Sequence, residues 1–216
     1  MSSRSWRPLI VGLGGTPRVG SSTEVALRRC LDAAADYGAD TLLLTGESLT
    51  LPLYDPGERG RTTAAGHLIA ALRRADGVLI ASPGYHGSIS GLIKNALDYT
   101  EDLREDPRPY LEGRAVGCVV CAHGWQATGS TLMTLRAVIH ALRGWPTPLG
   151  VVINSSVRTF DESGACVDSS IRSQLTLVAR QVVDFARMRY AEASSARQGS
   201  AWVCCPPSSG MTAPVT

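Results

Sequence analysis

The chain has 216 residues, of which 44% are hydrophobic, and this is enough to form one domain with a substantial core. Only 19% of the residues are charged, and the formal net charge is +2. That balance gives no reason to expect a nucleic-acid partner, and it differs from the strongly acidic surface of a small electron carrier that is steered to basic partners.

The first eight residues are polar and basic, and the apolar run that follows them is only as long as a β-strand. A secretory signal peptide needs a longer apolar core and a small-residue cleavage site. A membrane-spanning helix needs about 18 or more consecutive apolar residues, and no stretch approaches that length. We therefore expect a soluble, cytoplasmic protein with no membrane partner.

Between residues 9 and 189, short apolar segments alternate with longer amphipathic ones. The first kind is typical of strands buried on both faces of a parallel sheet, and the second kind is typical of helices that cover such a sheet. The predicted strands are residues 9–13, 40–45, 77–82, 115–122 and 149–153. The predicted helices are residues 21–37, 62–75, 88–103, 131–142 and 171–189. This order predicts an α/β, flavodoxin-like three-layer fold, with a five-stranded parallel sheet in the order 2-1-3-4-5 and a ligand site beside strands one and three.

A glycine-rich loop, GGTPRVGSST at residues 14–23, joins the first strand to the first helix. The amino end of a helix presents unpaired backbone N–H groups and a partial positive charge, and both favour a phosphate group. The loop adds one forked cation and four hydroxyl groups, which belong to Arg18, Thr16, Ser21, Ser22 and Thr23. We therefore predict that these five residues bind a terminal phosphate monoester.

Two common phosphate-binding motifs do not fit this loop. A Rossmann dinucleotide site needs G-x-G-x-x-G and an acidic residue at the end of the second strand. Here Pro17 interrupts the glycine pattern, and the second strand ends at Thr45 and Gly46. A Walker A loop needs a lysine before its last Ser or Thr, and Ser21 occupies that position. The loop therefore disfavours a Rossmann dehydrogenase and a nucleoside triphosphatase.

A second motif, SPGYHGSISGLIKNALD at residues 82–98, follows the third strand. Pro83 and Gly84 are typical turn residues, and Tyr85 offers a flat aromatic face to a ligand. The next glycine lets the backbone approach a ligand closely, and Ser88 can cap the helix that follows. Because strands one and three are neighbours in the predicted sheet, this motif and the phosphate loop should lie at the same edge.

Both motifs resemble those of the NADPH-dependent FMN reductase family. Members of that family carry Gly-Ser-x-Arg-x-x-Ser-x-(Asn/Thr) in the first loop, which this chain matches with Thr16 in place of the serine and with Gly15, Arg18, Ser21 and Thr23. They carry Pro-x-Tyr-x-Gly-Ser-x-x-Gly-x-x-Lys-Asn in the second loop, which residues 83–95 match throughout. The resemblance extends over residues 9–154.

The resemblance implies an FMN-dependent NAD(P)H oxidoreductase that passes hydride from NADPH or NADH to the flavin, and then electrons to an acceptor. Free flavin, a quinone and another small molecule are all open as the acceptor, and free flavin would imply a partner monooxygenase. The resemblance also implies a homodimer or a dimer of dimers. One alternative is a flavodoxin-type, non-enzymatic electron carrier, which the weak net charge disfavours. Another is a phosphate-binding or interaction module that binds no flavin.

The resemblance also assigns roles to individual residues. The phosphate would be bound by Thr16, Arg18, Ser21, Ser22 and Thr23. The isoalloxazine ring would be bound by Pro83, Gly84, Tyr85 and His86, with Gly87 and Ser88 at the start of the next helix. The loop after strand four would border the nicotinamide or acceptor pocket through His123, Gly124 and Trp125, although it lacks the Gly-Gly pair common in the family. His86 and His123 are candidates for contacts with the reacting groups, and no further catalytic residue is needed because the flavin carries the redox chemistry.

Two of the six cysteines, Cys118 and Cys121, form a Cys-x-x-Cys sequence that is found in metal sites and redox disulfides. The pair falls within a predicted strand, where residues three apart point to opposite faces of the sheet. We therefore predict two buried structural cysteines and no metal site.

After residue 190 the composition changes to Ser, Gly, Pro and Ala. This change predicts a single FMN-binding domain at residues 1–190, followed by a flexible tail at residues 191–216. The tail carries Cys204 and Cys205, to which the sequence assigns no role.

Overall fold

The computed structural model of the chain describes residues 6–58 and 60–199. The strands are β1 (Leu9–Gly14), β2 (Asp40–Leu44), β3 (Gly77–Tyr85), β4 (Ser88–Ile89), β5 (Ala115–Ala122), β6 (Trp145–Pro146) and β7 (Val151–Asn154). The helices are α1 (Ser22–Asp36), α2 (Thr63–Arg74), α3 (Gly91–Asp98), α4 (Trp125–Ala141) and α5 (Ser169–Gly199), with short 3-10 helices at Gly46–Leu49 and Tyr99–Leu103. None of the described helices combines the length and apolar character needed to cross a membrane.

The parallel sheet has five strand positions, in the order β2, β1, β3, β5 and then β6 with β7. The last position is split, because β6 pairs with the start of β5 and β7 pairs with its end. The predicted order 2-1-3-4-5 is therefore confirmed. The carboxyl ends of β1, β3, β5 and β7 all meet at one edge of the sheet, as they must in a parallel arrangement.

Hydrophobic side chains cover both faces of the sheet and give the three predicted layers. One core packs the sheet against α2, α3 and α4, and the other packs it against α1 and α5. Residues of β3 alternate between the two, since Val78 and Ile80 belong to the first core and Leu79 belongs to the second. Each fully buried side chain of this size stabilises the fold by about 1.5–3 kcal/mol.

Cys118 and Cys121 are both buried in β5, and they belong to opposite cores, as the sequence predicts. Burial raises the pKa of each thiol to about 12. Both groups are therefore neutral thiols at neutral pH and behave as small apolar side chains. The sheet between them prevents the two sulfur atoms from sharing a metal ion or a disulfide.

The third strand continues past its predicted end at residue 82 and forms a hairpin with β4. The turn consists of His86 and Gly87, whose φ angles are 52° and 80°. Two positive φ values in a two-residue loop are typical of a type I′ turn, whose twist matches that of paired strands. The hairpin is a structural element that the sequence analysis missed.

The hairpin also shows that the predicted cap of the third helix, Ser88, is wrong. Ser88 pairs with Tyr85 across the hairpin, so it does not cap α3. The cap is Ser90, whose Oγ accepts a hydrogen bond from the backbone N–H of Ile93 at 3.2 Å. The prediction was wrong because the cross-strand pairing delays the start of the helix to Gly91.

Replacing Ser90 with alanine should lower the free energy of unfolding by about 0.5–2 kcal/mol, because the first turn of α3 loses its side-chain cap. The matched variant Ser88→Ala should change it by less than about 0.5 kcal/mol, since the half-buried Ser88 hydroxyl caps no helix. Urea unfolding followed by circular dichroism measures both values. A larger loss for Ser88→Ala than for Ser90→Ala would contradict this assignment.

Helix α4 begins at Trp125, well before the predicted start at residue 131. Residues 124–129 were predicted to form a loop. Gly124 does turn the chain, with a φ of 97°, but Gly129 lies inside the helix. A single glycine costs a helix only about 1 kcal/mol, which a 17-residue helix packed on the sheet tolerates.

Helix α5 continues to Gly199, so the first nine residues of the predicted tail, 191–199, extend a helix. Alanines and an ion pair between Arg189 and Glu192 favour helix here, although the segment is mostly exposed. The remaining residues of the predicted tail, which include Cys204 and Cys205, lie outside the described residues.

Candidate active site

A cleft of about 440 Å³ opens at the carboxyl ends of β1, β3, β5 and β7. Its volume falls within the range of about 300–1,000 Å³ that is usual for small-molecule sites. Its lining contains eleven of the predicted cofactor-binding residues, namely Thr16, Arg18, Ser21, Ser22, Thr23, Pro83, Gly84, Tyr85, His86, Gly87 and His123. We call it the strand-end cleft. The fold thus brings the two sequence motifs together around one cavity.

The phosphate loop is ordered by its own hydrogen bonds. The Oγ1 of Thr16 accepts a bond from the backbone N–H of Arg18 at 3.1 Å. The Oγ of Ser21 caps α1 by accepting a bond from the backbone N–H of Glu24 at 3.2 Å. Each hydroxyl still has its own hydrogen to donate, and the N–H groups of the first turn have no partner within the helix. The loop therefore offers a set of donors suited to an anion.

The charges around the phosphate loop leave one cation free. The carboxylate of Glu24 is buried, but it accepts bonds from the N–H of Gly20 and from the guanidinium of Arg28, at 2.9 Å and 2.6 Å. The side chain of Arg18 is exposed and makes no hydrogen bond or ion pair with residues 6–58 and 60–199. Because Arg28 neutralises Glu24, Arg18 gives the cleft its net positive charge.

The hairpin of β3 and β4 forms the opposite side of the cleft. Pro83 is buried at its base, and the ring of Tyr85 is 56% exposed at the rim. Gly84 packs the hairpin against the protein, because a Cβ there would lie 2.8 Å from Thr131 Oγ1 and 2.9 Å from Ala122 Cβ. The base of the hairpin thus packs closely against α4 and β5, while the ring of Tyr85 remains accessible.

The two motifs touch at Gly15. A Cβ at this position would lie 2.6 Å from Ile93, 2.8 Å from Ser90 Oγ and 3.0 Å from Pro83. The N–H of Gly15 also donates a hydrogen bond to the carbonyl of Ala81 at 2.8 Å. Only glycine allows the phosphate loop and the second motif to approach this closely.

Three predicted site residues do not line the cleft. Ser88 belongs to the hairpin, Gly124 turns the chain into α4, and Trp125 is 64% exposed at the start of that helix.

Four lining residues were not predicted: Cys121, Ala122, Ala127 and Ser155. Ser155 lies two residues after the predicted strand at 149–153, and this was a usable signal, since ligands bind near such strand ends. Ala127 was not predicted as a lining residue because the first turn of its helix was predicted to be a loop.

Lys94 and Asn95, which match the second family motif, lie outside this lining. Lys94 forms an exposed ion pair with Asp98 at 2.6 Å. Asn95 instead holds the segment after β2, because its side chain accepts a bond from the N–H of Tyr54 at 2.8 Å and donates to the carbonyl of Pro52 at 2.8 Å. Both residues therefore have structural partners away from the cleft.

A second cleft, also of about 440 Å³, lies between α1 and α5. Its two arginines are already bonded to the protein, since Arg29 donates to the carbonyl of Gly164 at 2.8 Å and Arg172 donates to that of Cys166 at 2.6 Å. This cleft contains neither sequence motif and lies away from the strand ends. The strand-end cleft is therefore the stronger candidate for the active site.

The fold and the strand-end cleft are those of a flavodoxin-like protein with a phosphate loop after β1. Residues 8–158 match the family model described as NADPH-dependent FMN reductase. Because this match covers more than half of the 216 residues, the chain belongs to that family.

Among characterised proteins, the chain is similar to the FMN-dependent NADPH-azoreductase of Staphylococcus aureus, with 31% identity over 113 residues. The aligned region is 51% of this chain and 56% of the azoreductase, so the chain spans about half the length of the curated relatives it matches. The structure is similar to that of FerB, a flavoenzyme NAD(P)H:(acceptor) oxidoreductase from Paracoccus denitrificans, with a TM-score of 0.69 and 19% identity over 84% of this chain and 98% of that one. It also resembles the apo form of the NADH:FMN oxidoreductase EMOB, with a TM-score of 0.63 and 20% identity over 84% of this chain and 89% of that one. These two similarities concern the fold.

Proposed function

We propose that this protein is an FMN-dependent NAD(P)H oxidoreductase whose active site is the strand-end cleft. The observation that carries the proposal is the convergence of an anion-binding loop and an aromatic hairpin on one cavity of suitable volume. Family membership and the similarity to an FMN-dependent NADPH-azoreductase support the same activity.

The residues of the cleft fit FMN in two parts. The free guanidinium of Arg18, the loop hydroxyls and the first-turn N–H groups of α1 suit a phosphate dianion. The proposed phosphate ligands are Thr16, Arg18, Ser21, Ser22 and Thr23. The hairpin suits a flat ring, because Pro83, Gly84, Tyr85 and Gly87 line the cleft next to the small side chains of Ala122 and Ala127.

Bound FMN would supply the redox chemistry by accepting hydride from a nicotinamide and releasing electrons to an acceptor. The protein would bind and orient the reactants. Tyr85 at the rim would cover the ring or a second substrate stacked on it. His86 and His123 approach the cleft from different loops, where each imidazole would donate a hydrogen bond to a polar atom of the ring or the substrate. No thiolate takes part, because burial keeps Cys121 protonated.

The test is a visible spectrum of the purified full-length protein with FMN, followed by anaerobic addition of NADPH or NADH. We expect a flavin spectrum that differs from free FMN and that bleaches rapidly with one of the two nucleotides. Failure to bind FMN would overturn the site, and binding without reduction by either nucleotide would favour an electron carrier of the flavodoxin type. The faster of the two nucleotides identifies the physiological donor.

The acceptor is a small molecule, and its class stays open among free flavin, a quinone and an azo compound. With free flavin as the acceptor, the reduced product would pass to a partner monooxygenase. Steady-state assays that compare these acceptors at equal concentration would separate the alternatives. The predicted cytoplasmic location remains a prediction.

We also propose that two copies of the chain pair beside the cleft, as a homodimer or within a dimer of dimers. Tyr85 lines the cleft and is 56% exposed, and Val19 and Trp125, which are 84% and 64% exposed, are close in sequence to the lining residues Arg18 and His123. Exposed apolar groups that gather near a functional site favour association. Light scattering after size-exclusion chromatography should give at least twice the monomer mass, and a monomer at micromolar concentration would contradict this.

A further inference from the structure

The corner between β5 and α4 is held by a side chain from a different strand. Asn154, the last residue of β7, accepts a hydrogen bond from the backbone N–H of Gly124 at 3.2 Å. The same oxygen, Oδ1, accepts a bond from the N–H of Ser156 at 3.0 Å. One amide oxygen therefore joins the loop after β5 to the loop after β7.

Both loops line the strand-end cleft at the point where Asn154 joins them. His123 directly precedes the bonded Gly124, Ala127 follows it three residues later, and Ser155 directly follows Asn154. The backbone strengthens the same junction, because the N–H of Ser155 donates to the carbonyl of Ala122 at 2.9 Å. The side-chain bond thus lies where a shift of either loop would change the shape of the cleft.

The backbone at this corner needs an external partner. Gly124 has a φ of 97°, and α4 starts directly after it without any side-chain cap. Nothing lies within 4 Å of a Cβ placed on Gly124, so the protein does not pack against that side of the residue. The bond to Asn154 instead holds the N–H of Gly124, directly before the first residue of α4.

We infer that Asn154 is a positioning residue for the ring-binding side of the cleft, acting through Gly124 on His123 and the amino end of α4. The inference rests on the proposed function, because it concerns the binding of FMN. It assigns a role to a residue that no motif of the sequence indicated. Asn154 itself need not touch the ligand.

The experiment is a titration of the FMN-free, full-length protein with FMN, followed by the quenching of flavin fluorescence. Asn154→Ala removes the acceptor, and we expect FMN affinity to fall about tenfold. Asn154→Asp retains an oxygen at the same position, so its affinity should stay within about threefold of the wild type. Gln181→Ala is a matched control, because the Gln181 amide accepts a similar bond from the N–H of Leu149 at 3.3 Å away from the cleft.

A double-mutant cycle shows whether Asn154 acts through the corner. If it does, the effects of Asn154→Ala and His123→Ala on FMN affinity should be clearly less than additive, because both disturb the same wall of the cleft. Hydrogen exchange of the FMN-free protein gives a second readout, in which the amide of Gly124 should exchange faster in Asn154→Ala than in Gln181→Ala.

The possible outcomes separate the inference from the proposed function. Weakened binding by Asn154→Ala, rescue by Asn154→Asp and a sub-additive cycle would support the inference. Wild-type affinity in Asn154→Ala, or an equal loss in Gln181→Ala, would overturn it while leaving the proposed function intact. Additive effects in the cycle would also overturn it. A wild-type protein that binds no FMN would overturn both.

Discussion

Replacing Arg18 with alanine should weaken FMN binding by about 10- to 100-fold, which corresponds to the loss of one charge-assisted interaction with a phosphate. The reason is that the Arg18 guanidinium in the phosphate loop has no ion pair with the described residues, whereas Arg28 forms an ion pair with Glu24. Fluorescence titration of the FMN-free variant measures the change. Added salt should reduce the difference between the variant and the wild type, since exposed charges are screened.

Riboflavin and Lys94→Ala are the two controls for this prediction. Riboflavin lacks the phosphate, so Arg18→Ala should bind it as well as the wild type does. Lys94→Ala removes the exposed ion pair with Asp98, away from the cleft, and should leave FMN affinity within about twofold. Equal losses of FMN affinity in Arg18→Ala and Lys94→Ala, or equal losses for FMN and riboflavin, would contradict the proposed phosphate site.

Replacing Gly15 with alanine should lower the free energy of unfolding by about 1–3 kcal/mol, as overpacking of a buried site does. Its new methyl group would collide with Ile93, Ser90 and Pro83, and all three belong to the second motif. The collision forces the two loops apart, so FMN affinity should also fall, by about tenfold, since a binding site tolerates displacements of only about 0.5 Å. Chemical unfolding and FMN titration measure the two effects.

Gly66→Ala is the matched control for this substitution. Gly66 lies inside α2, and nothing lies within 4 Å of a Cβ placed there. The substitution should raise stability by about 0.5–1 kcal/mol, because alanine favours helix over glycine, and it should not change FMN affinity. If Gly15→Ala were as stable and bound FMN as tightly as Gly66→Ala, the close contact between the two motifs would be wrong.

Much of the architecture could be predicted because the signals for it are local. Continuous apolar runs such as those of β1 and β5 mark strands buried on both faces. The predicted helix starts at Ser21 and Thr62 agree with the structure within one residue, and both side chains cap their helices. The phosphate loop was likewise predictable, since its donors follow one another between a strand and a helix.

The parts that were missed depend on partners distant in sequence. The β3–β4 hairpin arises from cross-strand pairing, which displaced the cap of α3 from Ser88 to Ser90. The split between β6 and β7 depends on their separate pairing with β5. Asn154 follows a predicted strand like any loop residue, and its role becomes visible only when the fold places it beside Gly124.

A crystal structure of the full-length protein with FMN would test the central claim most directly. The phosphate should lie within hydrogen-bonding distance of Arg18 and of the first-turn N–H groups of α1. The ring should lie between the hairpin at Tyr85 and the corner at His123. A flavin bound in the cleft between α1 and α5, or one whose phosphate points away from the loop at residues 15–23, would contradict the proposed site.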